Sequence, residues 1–136
     1  MLTEQQLGVL HAACNRIIPA DEYPAGWEAG VGDYLLRQFE GDLQPAVESY
    51  QQGLAALEAE AQAIHALSFA ALHPSTQDKL LTQVEQAVVA TEWSLDPARF
   101  FKMLVDHCME GFYSDPGNGG NRDEIAWKMI GFEVRG

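Results

Sequence analysis

His107 and Glu110 stand three residues apart, a spacing that puts an imidazole and a carboxylate on one face of a helix, where the pair could hold a metal ion. A carboxylate-histidine site in a helical bundle draws on two such motifs, and no second one exists here; His11, His65 and His73 are scattered elsewhere. The spacing therefore predicts an ordinary hydrogen-bonded or exposed histidine and no metal. Glu48, Glu58 and Glu60 are a second group of titratable side chains, and their position opposite an apolar stripe predicts a solvated helix face in preference to a catalytic carboxylate pair. Cys14 and Cys108 are too few for a disulfide framework and lack the CxxC spacing of redox or metal work. At apolar positions of helices they are expected to be buried free thiols. General acid-base or nucleophilic catalysis needs a base, a nucleophile and an orienting group in one pocket, and no local arrangement suggests one.

The segment from Ser114 to Asn121, SDPGNGGN, is different in kind. One proline and three glycines among eight residues permit several positive-φ positions and close backbone approach, so a shaped loop is expected. Asn121 can cap a last helix with Glu124 at its third position, leaving Arg122 and Asp123 in an exposed first turn. Phe112 and Tyr113 precede the loop and Trp127 and Phe132 follow it, a wet turn bracketed by apolar area as at an interface core. On composition alone the same segment reads equally as a flexible connector with its aromatics in the core. A phosphate cradle is disfavoured, because the glycine spacing fits neither GxxxxGK[ST] nor a GxGxxG after a strand.

The elements that must position this segment read as helices. Thr3 and Gln6 have the capping-box spacing, and Leu7, Leu10, Cys14, Ile17 and Ile18 follow at helical steps until Pro19 breaks the run. Pro19 to Gly30 is a loop whose Tyr23 and Trp27 need apolar neighbours. Val31, Tyr34, Leu35 and Phe39 suggest a short helix ended at Gly41. Val47, Tyr50, Leu54, Leu57, Ala61 and Ile64 make a clean amphipathic stripe, which Pro45 can open. Pro74, Ser75 and Asp78 start a helix using Leu80, Leu81, Val84 and Val88, and Asp96-Pro97 starts another containing Phe100, Phe101, Leu104, Val105, Cys108 and Phe112. Period-two alternation is confined to short ambiguous runs such as GFEV near the end. The expected fold is all-α, a compact bundle of about six or seven helices with an ordered Gly-rich C-terminal loop, built as a single domain over residues 1–136.

Charge narrows the partners. The 136 residues carry a formal net charge of -12, which repels phosphate backbones and anionic membranes, so no nucleic-acid or peripheral lipid binding is expected. Residues 1–90 hold twelve acids and three bases, whereas residues 91–136 hold eight and five. No apolar run approaches the roughly 18 residues of a spanning helix, and MLTEQQL has neither a basic n-region nor a twin arginine. As written, the chain is expected in the cytoplasm, or in the periplasm if a twin-arginine leader has been removed or if it is exported with a partner.

The C-terminal residues Glu110, Gly111, Phe112, Tyr113, Asp115, Pro116, Gly119 to Asp123, Trp127, Lys128, Ile130, Gly131 and Phe132 resemble the signature of the gluconate 2-dehydrogenase subunit 3 family. Upstream the likeness continues in Ile18-Pro19, Asp21, Pro24, Ala29 to Val31, Asp33, Tyr50, Gly53, Phe69 and Phe100-Phe101, so it spans nearly the whole chain. Two departures stand out: many members have an aromatic where Gly117-Asn118 lies, and many carry a twin-arginine leader.

The resemblance implies a non-catalytic small subunit accompanying an FAD-dependent sugar, glycoside or sugar-acid dehydrogenase of the glucose-methanol-choline type. It would bind and stabilise that subunit or aid its maturation, with a cytochrome c subunit often the third member. FAD is then expected in the partner, with no cofactor or metal held by this chain and no catalytic residue in it. The expected partner interface is Tyr113, Asp115, Pro116, Gly119, Gly120, Asn121, Arg122, Asp123 and Trp127, with Trp127 and Tyr113 as desolvated anchors and Arg122 as a polar clamp. An internal alternative pairs Arg122 with Asp115 or Asp123 to hold the loop on its own core. A reading from another class is a stand-alone helical enzyme or small-molecule binder using the loop 115–123 as its pocket rim.

Overall fold

The computed structural model describes residues 1–21 and 23–114. Five α-helices occur among them: α1 (Glu4–Ile17), α2 (Gly32–Phe39), α3 (Val47–His65), α4 (Pro74–Glu85) and α5 (Pro97–Tyr113). A π-helical turn, Trp27–Val31, leads into α2, and two 3-10 turns, Gln44–Ala46 and Phe69–Ala71, flank α3. No strand occurs among the described residues, in keeping with the all-α expectation. The sixth helix expected after Asn121, the Gly-rich loop and the GFEV run lie outside the described residues.

The helix starts follow from local chemistry. Thr3 caps α1 by accepting from the Gln6 backbone N–H at 3.1 Å while the Gln6 side chain accepts from Thr3 N at 2.9 Å, a reciprocal box that satisfies two otherwise orphaned donors. Asp96 caps α5 through Ala98 N at 3.0 Å, with Pro97 in the first turn where its missing N–H costs nothing. The start of α4 uses neither Ser75 nor Asp78 as its cap: His73 Nδ1 accepts from Ser75 N at 3.1 Å, with Pro74 as the first helical residue. This helix also stops before Val88. Ala87 takes a left-handed φ of 59°, Val88 N bonds back to Gln83 O, and the Val88 side chain is left 62% exposed.

One continuous core draws on all five helices. Leu10 and Cys14 of α1, Leu35 of α2, Tyr50, Leu54 and Leu57 of α3, Leu80 and Val84 of α4, and Phe100, Leu104 and Cys108 of α5 all point into it. The apolar stripe read from α3 is buried from Tyr50 to Ala61, while Ile64, one turn further, is half-exposed. Between α3 and α5 the approach is close. A methyl group at Gly53 would overlap the Phe100 ring, so only glycine lets the two helices meet here.

The polar face of α3 corrects the sequence reading. Glu48 is exposed as expected, but Glu58 and Glu60 are buried at 6% and 1% exposure. Glu58 accepts from Phe69 N at 3.0 Å, Ser68 Oγ at 3.1 Å and Gln62 Nε2 at 2.9 Å, which pins the turn after α3. Glu60 accepts from the backbone N–H groups of Ala90 and Thr91, the Thr91 hydroxyl and Trp93 Nε1. Burial alone would raise its pKa, but those donors outweigh it and hold the carboxyl below its usual range. A solvated face was expected because nothing local to α3 reveals that two distant loops fold over it.

Candidate functional site

Residues 110–114 open the family-like C-terminal signature and close α5, with Gly111 and Phe112 buried. The π-helical turn brings Gly30 to a φ of 117°, a left-handed conformation that favours glycine, and this sets Val31 and Tyr34 beneath the end of α5. A methyl at Gly111 would lie 2.8 Å from Tyr34 Cδ2 and 3.3 Å from Val31 Cγ1, so α5 sits directly on the start of α2. Phe112 is buried, and Tyr113, half-buried, meets it edge-on with ring centroids 5.7 Å apart. Ser114 closes the helix by donating from Oγ to Gly111 O at 3.0 Å. Burial, and then the nearby carboxylates of Glu110 and Asp42, pushes the Tyr34 phenol up, so it stays neutral and protonated.

Of the residues expected at a partner interface, Tyr113 falls among the described residues, in the last turn of α5. Asp115, Pro116, Gly119, Gly120, Asn121, Arg122, Asp123 and Trp127 lie outside the described residues, as do the alternative pairings of Arg122.

One turn before this end, α5 carries an arrangement that the sequence reading missed. Tyr50, fully buried on α3, places its hydroxyl 2.8 Å from His107 Nδ1, and the two rings stack at 5.8 Å. Desolvation lowers the His107 pKa against the opposing pull of Glu110 and Asp106, which favours the neutral ring. In the Nε2–H tautomer of the neutral ring, Nδ1 accepts from the phenol. A tyrosine in an otherwise apolar stripe was the available signal, since a buried phenol needs a partner.

His107 lines a shallow depression of about 320 Å³ with Arg99, Lys102, Met103, Asp106 and Glu110. Lys102 and Asp106 pair there at 3.0 Å. The imidazole could exchange a proton with something bound in the depression, but none of these lining side chains is a hydroxyl or thiol nucleophile. His107 is the hydrogen-bonded histidine that its sequence context predicts. Among the described residues no three His, Cys, Asp or Glu side chains gather as a metal site.

The other polar clusters tie elements together. His11 stacks on Trp27 at 4.9 Å and meets Glu28 Oε2 at 2.6 Å; Asn15 donates to Glu28 Oε1 and accepts from Trp27 N, so the loop after α1 is strapped back onto that helix. Trp27 also packs, partly buried, against the core, which meets its need of an apolar neighbour. Arg16 grips both oxygens of Asp78 at 2.8 and 3.0 Å, joining α1 to α4. Cys14 and Cys108 are free and buried, and the Cys108 thiol beside Cys14, together with burial, pushes the Cys14 thiol far above its usual range.

Several residues that carry the family likeness now have physical reasons. Gly30 makes the turn into α2, Tyr50 holds His107, Gly53 admits Phe100, and Phe69 fills the core under the Glu58 lock. No described helix is long and apolar enough to cross a membrane. Comparison with curated proteins and with solved structures gives no match. The family described as gluconate 2-dehydrogenase subunit 3 matches residues 4–134, which takes in the helical body and the C-terminal signature together. With almost all of its length matched, the chain belongs to the gluconate 2-dehydrogenase subunit 3 family.

Proposed function

We propose that this chain is the non-catalytic small subunit of an oxidoreductase complex, one that binds and stabilises an FAD-dependent dehydrogenase of the glucose-methanol-choline type and aids its maturation. The chemistry and the flavin belong to the partner, which oxidises a sugar, glycoside or sugar acid. The observation that carries this reading is the family match across residues 4–134. It is supported by the seating of Gly111 on Val31 and Tyr34, because an interface segment gains most from a flanking helix that is already rigid. Tyr113 and Trp127 serve as aromatic anchors, Arg122 as a polar clamp, and the glycines at 119 and 120 permit close approach.

Co-expression with the flavoprotein subunit tests it. Trp127→Ala and Arg122→Ala are expected to cut the yield of flavin-bearing complex on pull-down several-fold while leaving the melting temperature of the small subunit unchanged. Undiminished complex and flavin activity in both variants would sink the docking role. A wild-type chain that stays a colourless monomer under co-expression would remove the accessory-subunit reading itself.

A further inference from the structure

A second surface has the character of a docking site. An open groove of about 790 Å³ runs between the N-terminal segment, α2 and the start of α3. Its floor is apolar, with Leu2, Phe39 and Val47 partly or fully covered, and Leu36 stands at its lip with 39% of its surface exposed. The charged side chains that line it are Glu40 and Glu48, both exposed carboxylates.

An apolar floor between acidic lips is the negative image of an amphipathic helix whose apolar face is flanked by Lys or Arg. Small-molecule sites are usually enclosed and carry a few convergent polar groups, whereas this groove lies open with its carboxylates at the edge. A second copy of the chain brings another net charge of -12 to an acidic lip and is repelled. Residues 115–136, with four acids and three bases, carry a net charge of -1 and offer no net positive complement.

We propose that this groove receives a basic amphipathic helix of the flavoprotein subunit, a second contact besides the one made by residues 113–127. The proposal rests on the accessory-subunit reading and names where else, and with what chemistry, the partner must match.

The test uses the full chain co-expressed with the flavoprotein subunit of its own genome. A photo-crosslinking amino acid in place of Leu36 is expected to join a Lys- or Arg-bearing helical segment of the flavoprotein. The double variant Glu40→Lys/Glu48→Lys is expected to weaken the complex about tenfold and to flatten its salt dependence, with an unchanged melting curve for the free subunit. A crosslink to a second copy, to residues 115–136, to a neutral or acidic segment, or to nothing overturns the groove proposal, as does unchanged affinity in the double variant. In each of those cases a wild-type complex that still forms leaves the accessory role standing. If the wild-type pair does not form, both readings fall.

Discussion

The hydroxyl of Tyr50 on α3 lies 2.8 Å from Nδ1 of His107 on α5, so a fully buried phenol has its polar end satisfied by an imidazole whose other edge faces a surface depression. Desolvation first, opposed by Glu110 and Asp106, holds the His107 pKa below its usual value. A basic group with a depressed folded-state pKa favours the folded state when neutral. Its contribution is full above the unfolded value near 6.5 and is lost as pH falls through the folded one. Urea midpoints are expected to fall between pH 7.5 and 5.5, and His107→Gln is expected to flatten that dependence. Tyr50→Phe should cost about 1 kcal/mol at pH 7.5, read from the same denaturation curves.

Glu60 gives a second acid-sensitive contact, at lower pH. Its hydrogen bonds from Thr91, Ala90 and Trp93 overcome the cost of burial and depress its pKa, so its stabilisation is present above the ordinary carboxylate range and disappears as pH falls below about 4. Glu60→Gln keeps the shape but turns an N–H₂ toward donors, and is expected to destabilise by roughly 2 kcal/mol. Trp93 fluorescence should report release of the loop before the global transition.

Gly53→Ala is expected to be among the more damaging single-methyl changes in the body, because the added Cβ would overlap the Phe100 ring at the α3–α5 contact. Overpacking of this kind costs typically about 1–3 kcal/mol. Thermal melts should show the loss, and Gly8→Ala, where a Cβ meets nothing within 4 Å, supplies the control.

Cys14 and Cys108 are expected to be silent toward an aromatic disulfide reagent in the native state and to titrate as two thiols in denaturant, because both are buried and the Cys14 thiol is held protonated by its Cys108 neighbour and by burial. Rapid native labelling of either would contradict that placement.

Whatever depends on residues within a few turns of one another is legible in the residue order alone. The Thr3 and Asp96 caps, the stripe from Tyr50 to Ala61 and the Pro19 break are set by spacing, and so are four of the five described helices almost to their ends. The sequence also held the C-terminal signature by which the family was recognised, since that likeness is a matter of residue order. Tertiary structure decided what separate elements do to one another. Nothing near Glu58 or Glu60 foretells that loops ten and thirty residues away will bury them. Nothing near His107 names Tyr50, fifty-seven residues earlier, as its partner. Helix formation is driven by local hydrogen bonds and one apolar face, whereas burial of a charge or a phenol is settled by which distant donors arrive to satisfy it, and that information exists only once the chain has packed.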